Sequence, residues 1–75
     1  MLKQLEDFLN ECHRKDRDPE AYDITLKLSD GVEVHNIVGI DTHGDDVTIR
    51  SASNGIVTTI HTTEHDCLRW WRISI

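Results

Sequence analysis

The sequence predicts an α+β domain, mostly β. One N-terminal helix is expected over residues 1–17, followed over residues 23–75 by five short strands in a strongly bent antiparallel barrel. Three observations carry the prediction. The chain has only 75 residues, enough for a single domain. Apolar residues near its start recur at three- and four-residue steps, and from Asp23 the period changes to two with turn residues between the runs. The same elements in an open meander sheet, with the helix across one face, are the alternative arrangement.

Leu2, Leu5, Leu9 and Cys12, with Phe8 beside them, form the stripe of an amphipathic helix. Lys3, Glu6, Asp7, Asn10 and Glu11 occupy the other face. His13, Arg14, Lys15 and Arg17 place cations at the negative end of the helix dipole. Pro19 disfavours helical geometry at Asp18, so the helix is expected to stop there. Ile24, Leu26 and Leu28 then alternate with Thr25, Lys27 and Ser29. Val32, Val34, Val38 and Ile40 continue on even positions, with Asn36 as an interruption. Val47 and Ile49, then Ile56 to Ile60, then Leu68 to Ile75, complete the runs.

Turn chemistry sets the registers. A two-residue Asp30-Gly31 hairpin would put Leu28 opposite Glu33, setting apolar against polar. A three-residue Ser29-Asp30-Gly31 loop with Gly31 left-handed instead pairs Leu28 with Val32 and Leu26 with Val34, burying like against like. Asn54-Gly55 as a type I′ turn pairs Ser51 with Thr58 and Ile49 with Ile60. The second strand is longer than the first can cover, so its later half is expected to bend away toward the third, with Gly39 allowing the bend.

Composition narrows the class of function. Asp and Glu number 14 against 8 Lys and Arg, a formal charge of −6, which argues against a general polyanion binder. Acids stand where a signal peptide needs an apolar run, so no export and a cytoplasmic location are expected. No run approaches the ~20 apolar residues of a membrane span. Cys12 and Cys67 are far apart and fit a buried reduced pair better than a disulfide framework. A domain this small rarely gains more than ~3–5 kcal/mol from one core, so oligomerisation is the expected further source of stability.

Chemistry-bearing clusters are sparse. Asp41, Asp45 and Asp46 lack EF-hand spacing. His61, His65 and Cys67, with Cys12 and His13, are competent zinc ligands, but residues 61 and 65 lie ~13 Å apart in an extended chain. No metal and no cofactor are therefore expected. Cys67 beside His65 and Asp66 lacks an oxyanion hole, and no enzyme is expected. In the last run Trp71, Ile73 and Ile75 fall on one face and Trp70, Arg72 and Ser74 on the other. One tryptophan thus lies off the isoleucine face, either shielded by the helix or serving as an interface anchor. Nothing blunts this last strand, and such edges tend to pair with another chain.

Ile24-Thr25-Leu26-Lys27-Leu28-Ser29-Asp30-Gly31, then Ile37-Val38-Gly39-Ile40-Asp41, then Val47-Thr48-Ile49 follow the helix in the order of the Sm-like family. Leu5-Glu6-Asp7-Phe8-Leu9-Asn10 and the basic residues after it resemble the helix and basic rim of that family's bacterial branch, the Hfq RNA chaperones. The resemblance implies an SH3/Sm-like barrel and a homo-oligomeric ring in which the fourth strand of one copy joins the fifth of the next. It implies single-stranded RNA at the loop Asp41-Thr42-His43-Gly44-Asp45, where the ring of His43 would stack on a base beside Asp41 and Asp45. Arg14, Lys15 and Arg17 would add a basic rim. The implied subunit interface comprises Ile56, Thr58, Ile60, Trp70, Arg72 and Ile73. The chain departs from the pattern in three places: Gly31 to Asp41 is one residue short, Asp45 replaces the loop Asn, and Glu64-His65-Asp66 stands for the second signature. Two other classes compete: a protein-interaction or inhibitor module using the Trp70/Arg72 face without nucleic acid, and a metal-stabilised structural domain.

Overall fold

The computed structural model describes residues 2–73. Helix α1 spans Leu2–Arg14, with Leu2, Leu5, Leu9 and Cys12 buried as the periodicity predicts. It ends at Arg14 rather than Arg17. Asp16 takes a left-handed φ of 55°, and the Arg17 and Asp16 amides donate to the Cys12 and His13 carbonyls at 2.8 and 3.3 Å. Those two bonds form a Schellman cap, which stops the helix before Pro19 can. Pro19–Tyr22 forms a 3-10 turn whose Asp18 carboxylate accepts from the Glu20 amide at 3.0 Å.

The strands are β1 (Thr25–Leu28), β2 (Glu33–Val34), β3 (Ile37–His43), β4 (Asp46–Ser53), β5 (Ile56–Thr63) and β6 (Cys67–Trp71), with a 3-10 turn at Glu64–Asp66 before β6. The closed five-stranded barrel is replaced by two antiparallel sheets of three strands, ordered β2-β1-β6 and β3-β4-β5. The expected long second strand is divided into β2 and β3 by Asn36, whose φ of 55° is left-handed and cannot continue a strand. Hydrogen bonds hold the sheets together at this break: the Ile37 amide donates to the Ile24 carbonyl and the Ala52 amide to the Asn36 carbonyl, both at 3.0 Å. β5 pairs only with β4 and β6 only with β1, so the two outer strands stay unjoined.

Both turn registers match expectation. Leu26 faces Val34, the Leu28 amide donates to the Val32 carbonyl at 2.8 Å, and Gly31 holds φ at 90°. Asn54 and Gly55 are both left-handed, at 54° and 80°, and set Ser51 opposite Thr58 and Ile49 opposite Ile60. From Gly39 onward the strand pairs with β4, as expected of its later half, and Gly39 has a further role. The Arg50 guanidinium lies against its Cα, in the space a side chain would occupy. A register shift between Ile37 and Gly39 makes Val38 the extra residue of a bulge. Ile37 therefore takes the inward place expected of Val38, and Val38 is only half-buried.

The core lies under α1 and joins Leu5, Leu9, Ile24, Leu26, Val34, Ile37, Ile40 and Ile49. The even-numbered residues Leu26, Val34 and Ile40 all point inward, as the alternation requires. Ser74 and Ile75, expected to extend the last strand, lie outside the described residues. Among the described residues no helix is long and apolar enough to cross a membrane.

Candidate functional site

The loop predicted to stack a base is the β3–β4 hairpin end. His43 pairs with Asp46 in register, Gly44 is left-handed at φ 61°, and His43 and Asp45 are exposed. Asp41 is engaged by the Arg50 guanidinium. The Asp45 carbonyl accepts from the Glu64 amide at 2.9 Å, joining this loop to the turn before β6. Thr42 donates its hydroxyl to Glu6 of the helix, and Asp41, Asp45 and Asp46 make the loop around His43 acidic in sequence.

The predicted basic rim is elsewhere. Between Glu6 and Arg14 the helix rises ~12 Å, which puts Arg14, Lys15 and Arg17 at the end away from His43. Arg14 and Lys15 both bind the Glu11 carboxylate. The hydrogen bond from Lys15, and then that from Arg14, hold the Glu11 carboxyl below its usual range. Arg17 donates to the Tyr22 hydroxyl at 3.3 Å. Its partner is neutral, so its charge stays available to an anion.

The interface residues also divide. Trp70 stacks on Phe8 with ring centroids 6.2 Å apart, and Phe8 meets Tyr22 edge-on at 5.1 Å. Arg72 lies over the Phe8 ring at 4.4 Å, and the Ile73 amide donates to the Tyr22 carbonyl at 2.8 Å. Trp70 is thus partly covered by the helix and joins the edge of the core. On β5, by contrast, Ile56 is 69% and Val57 57% exposed. Thr58 is exposed too, and Ile60 is half-buried. Ile60 packs against the core, whereas Ile56 and Val57 near the hairpin tip extend beyond it.

Both cysteines are free and buried. Burial pushes the thiols of Cys12 and Cys67 up, and for Cys67 the charges of Asp66 and Glu64 add to it. The Cys67 thiol donates to the Thr63 carbonyl at 3.4 Å. A raised, internally bonded thiol is a poor nucleophile. Asp66 has a structural role, accepting from the hydroxyls of Ser29 at 2.9 Å and Thr63 at 3.1 Å. His61 sits 3.3 Å from the Thr48 hydroxyl. Among the described residues, no three His, Cys, Asp or Glu side chains converge as metal ligands would.

One cluster was missed by the sequence reading, on the outer face of the β2-β1-β6 sheet. Lys27 is opposite Glu33 on one side and Arg69 on the other, and Thr25 is opposite Trp71. His35 follows β2 on the same face, with Nδ1 3.0 Å from the Thr25 hydroxyl and Nε2 3.3 Å from Glu33 Oε1. The alternation of Thr25 and Lys27 with buried leucines marks this face, but only the β1–β6 register adds Arg69 and Trp71. No family model matches this chain, and neither does any curated protein or solved structure.

Proposed function

We propose that this chain is a non-enzymatic, Sm-like binding module that assembles edge to edge into a homo-oligomeric ring and engages single-stranded RNA. The reading takes the two sheets as one Sm-like strand order, β6-β1-β2 continuing into β3-β4-β5, left open between β5 and β6. The observation that carries it is the pair of unjoined edges. β5 offers eight residues, Ile56–Thr63, with no proline, lysine, arginine or acid among them. Native sheets normally blunt such an edge with charge, proline or a covering element. Pairing β5 of one copy with β6 of the next would satisfy the free backbone groups of both strands, and a heterologous contact of this kind forms a ring when the rotation between copies closes.

Native mass with light scattering tests the assembly. In a two-residue hairpin Ser53 and Ile56 form the hydrogen-bonded pair, so Thr58, Ile60 and Thr62 bond toward β4. Val57, Thr59 and His61 then direct their amides to the free edge. Thr59→Pro removes one outward donor at a place where an edge strand tolerates proline. The expected result is a ring of about five to seven copies that Thr59→Pro reduces to a folded monomer. A wild-type chain that stays monomeric at high concentration refutes assembly. A protein-interaction or inhibitor module using the Trp70/Arg72 face is favoured instead if RNA fails to bind at low salt.

A further inference from the structure

We propose that the outer face of the β2-β1-β6 sheet is the platform on which single-stranded nucleic acid binds, with His35 and Trp71 stacking bases and Lys27 and Arg69 holding phosphates. The proposal rests on the RNA half of the reading above and is independent of ring assembly.

The face is two rows of three residues across the strands. His35, Thr25 and Trp71 make one row, and Glu33, Lys27 and Arg69 the next. Neighbouring strands lie ~4.8 Å apart, so the His35 and Trp71 rings flank Thr25 at a separation near ~10 Å, with the charged row ~7 Å further along the strands. Thr25 is 1% exposed, with its hydroxyl 3.0 Å from His35 Nδ1.

Lys27 and Arg69 stand directly opposite one another, and like charges in that relation destabilise a sheet. Among the described residues neither lies in an ion pair, whereas Lys3, Arg14, Lys15 and Arg50 all do. In a chain with 14 acids and 8 bases, one acid stands beside this pair, Glu33 opposite Lys27, and it forms no ion pair with either cation. The one carboxylate in the row, Glu33, is turned to His35. An oxyanion between the two cations would convert the repulsion into attraction.

The rings are ready for a ligand. His35 Nδ1 is hydrogen-bonded to Thr25 and its Nε2 lies 3.3 Å from Glu33 Oε1, while its side chain remains 54% exposed. A ring fixed before binding loses little freedom on binding. Arg69 lies 4.9 Å over the Trp71 ring, and bases stack on guanidinium planes as well as on aromatic faces. Rings beside unpaired cations suit a nucleic acid better than an acidic peptide, which has no use for the rings.

The test is fluorescence anisotropy of labelled oligouridylate and oligoadenylate on the full chain across a salt series. Expected are binding that weakens steeply with salt, a loss of roughly tenfold or more in Lys27→Ala/Arg69→Ala with a salt slope smaller by about 1–2, and a loss of about tenfold in Trp71→Ala. Circular dichroism of the double variant should show an intact fold, since it removes a repulsion. Unchanged affinity in the double variant overturns the proposal. If His43→Ala or Arg17→Ala abolishes binding and the platform variants do not, RNA binding stands and this site falls. A ring that binds no oligonucleotide leaves assembly standing and overturns the platform. Equal capture of polyglutamate by the platform residues also refutes it, by showing a site for acidic protein.

Discussion

Asn36 holds φ at 55° between β2 and β3, and replacing it tests whether one residue divides the strand. A left-handed L-residue costs about 1–2 kcal/mol because Cβ crowds the following carbonyl oxygen, and asparagine offsets this through local hydrogen bonding. Asn36→Gly removes the Cβ and should melt near wild type. Asn36→Ala keeps the Cβ without the amide and should lose about 1 kcal/mol, and β-branched Asn36→Val about 2 kcal/mol. The Asn36 carbonyl, which accepts from Ala52, is untouched in all three, so the series isolates backbone strain. Unfolding entropy near 2.1 cal/mol/K per residue gives ~0.16 kcal/mol/K for the 75-residue chain. The expected falls in Tm are therefore ~6 °C for alanine and ~12 °C for valine. Circular dichroism melts over a range of protein concentrations separate folding from association. If Asn36→Val melts at or above wild type, residue 36 accepts extended geometry and the division of the strand has another cause.

Two further predictions concern the core and the turn before β6. Asp66→Ala removes the acceptor for the Ser29 and Thr63 hydroxyls and should cost about 1–2 kcal/mol in urea unfolding. Asp66→Asn, which keeps one acceptor oxygen, should cost less, and equal losses would deny those bonds a role. Burial raises both thiols above their ordinary value of 9.0, so the folded state favours the neutral form. That stability is complete below the ordinary value and is lost as pH rises through the folded values. Cys12→Ala/Cys67→Ala will be less stable at neutral pH but should lose less than wild type as pH rises above 9.0. Parallel pH profiles would refute the linkage.

The legible parts of the fold were those fixed by local chemistry. Gly31 and Asn54-Gly55 supply the left-handed geometry that tight turns demand, and each turn fixes a register that either buries like against like or fails. Burial of Leu5, Leu26 and Ile49 follows from the same alternation. The division of the strand at Asn36 is not legible, because Asn and Gly both tolerate unusual geometry and only the fold decides which one uses it. Asn36 breaks the strand, and Gly39 makes room for Arg50. The helix ends earlier than Pro19 implies, because proline marks where a helix cannot continue, whereas Asp16 ends it through left-handed geometry. The site was harder still. Nothing local says that Arg14 and His43 lie at opposite ends of a helix. Nor can Lys27 and Arg69 be known as neighbours without a pairing between distant segments of the chain.

The two proposals constrain one another through the composition of β5. Pairing takes place in the plane of a sheet, whereas Lys27, Arg69, His35 and Trp71 project from its face, so an assembled ring would leave the platform uncovered. A neighbour's β5 docking on β6 would extend the β2-β1-β6 sheet by one strand, beside Arg69. Had that strand carried acids, assembly would quench the phosphate contacts it stands next to. Ile56–Thr63 carries none, although acids make up 14 of the 75 residues. Its lack of charge thus serves both proposals, leaving the edge free to pair and the neighbouring cations unneutralised. A ring would also repeat a weak platform around an axis, and one strand engaging several copies gains affinity by effective concentration. Thr59→Pro should therefore weaken binding of long oligonucleotides more than of short ones, because a short strand reaches one platform whether or not the ring forms.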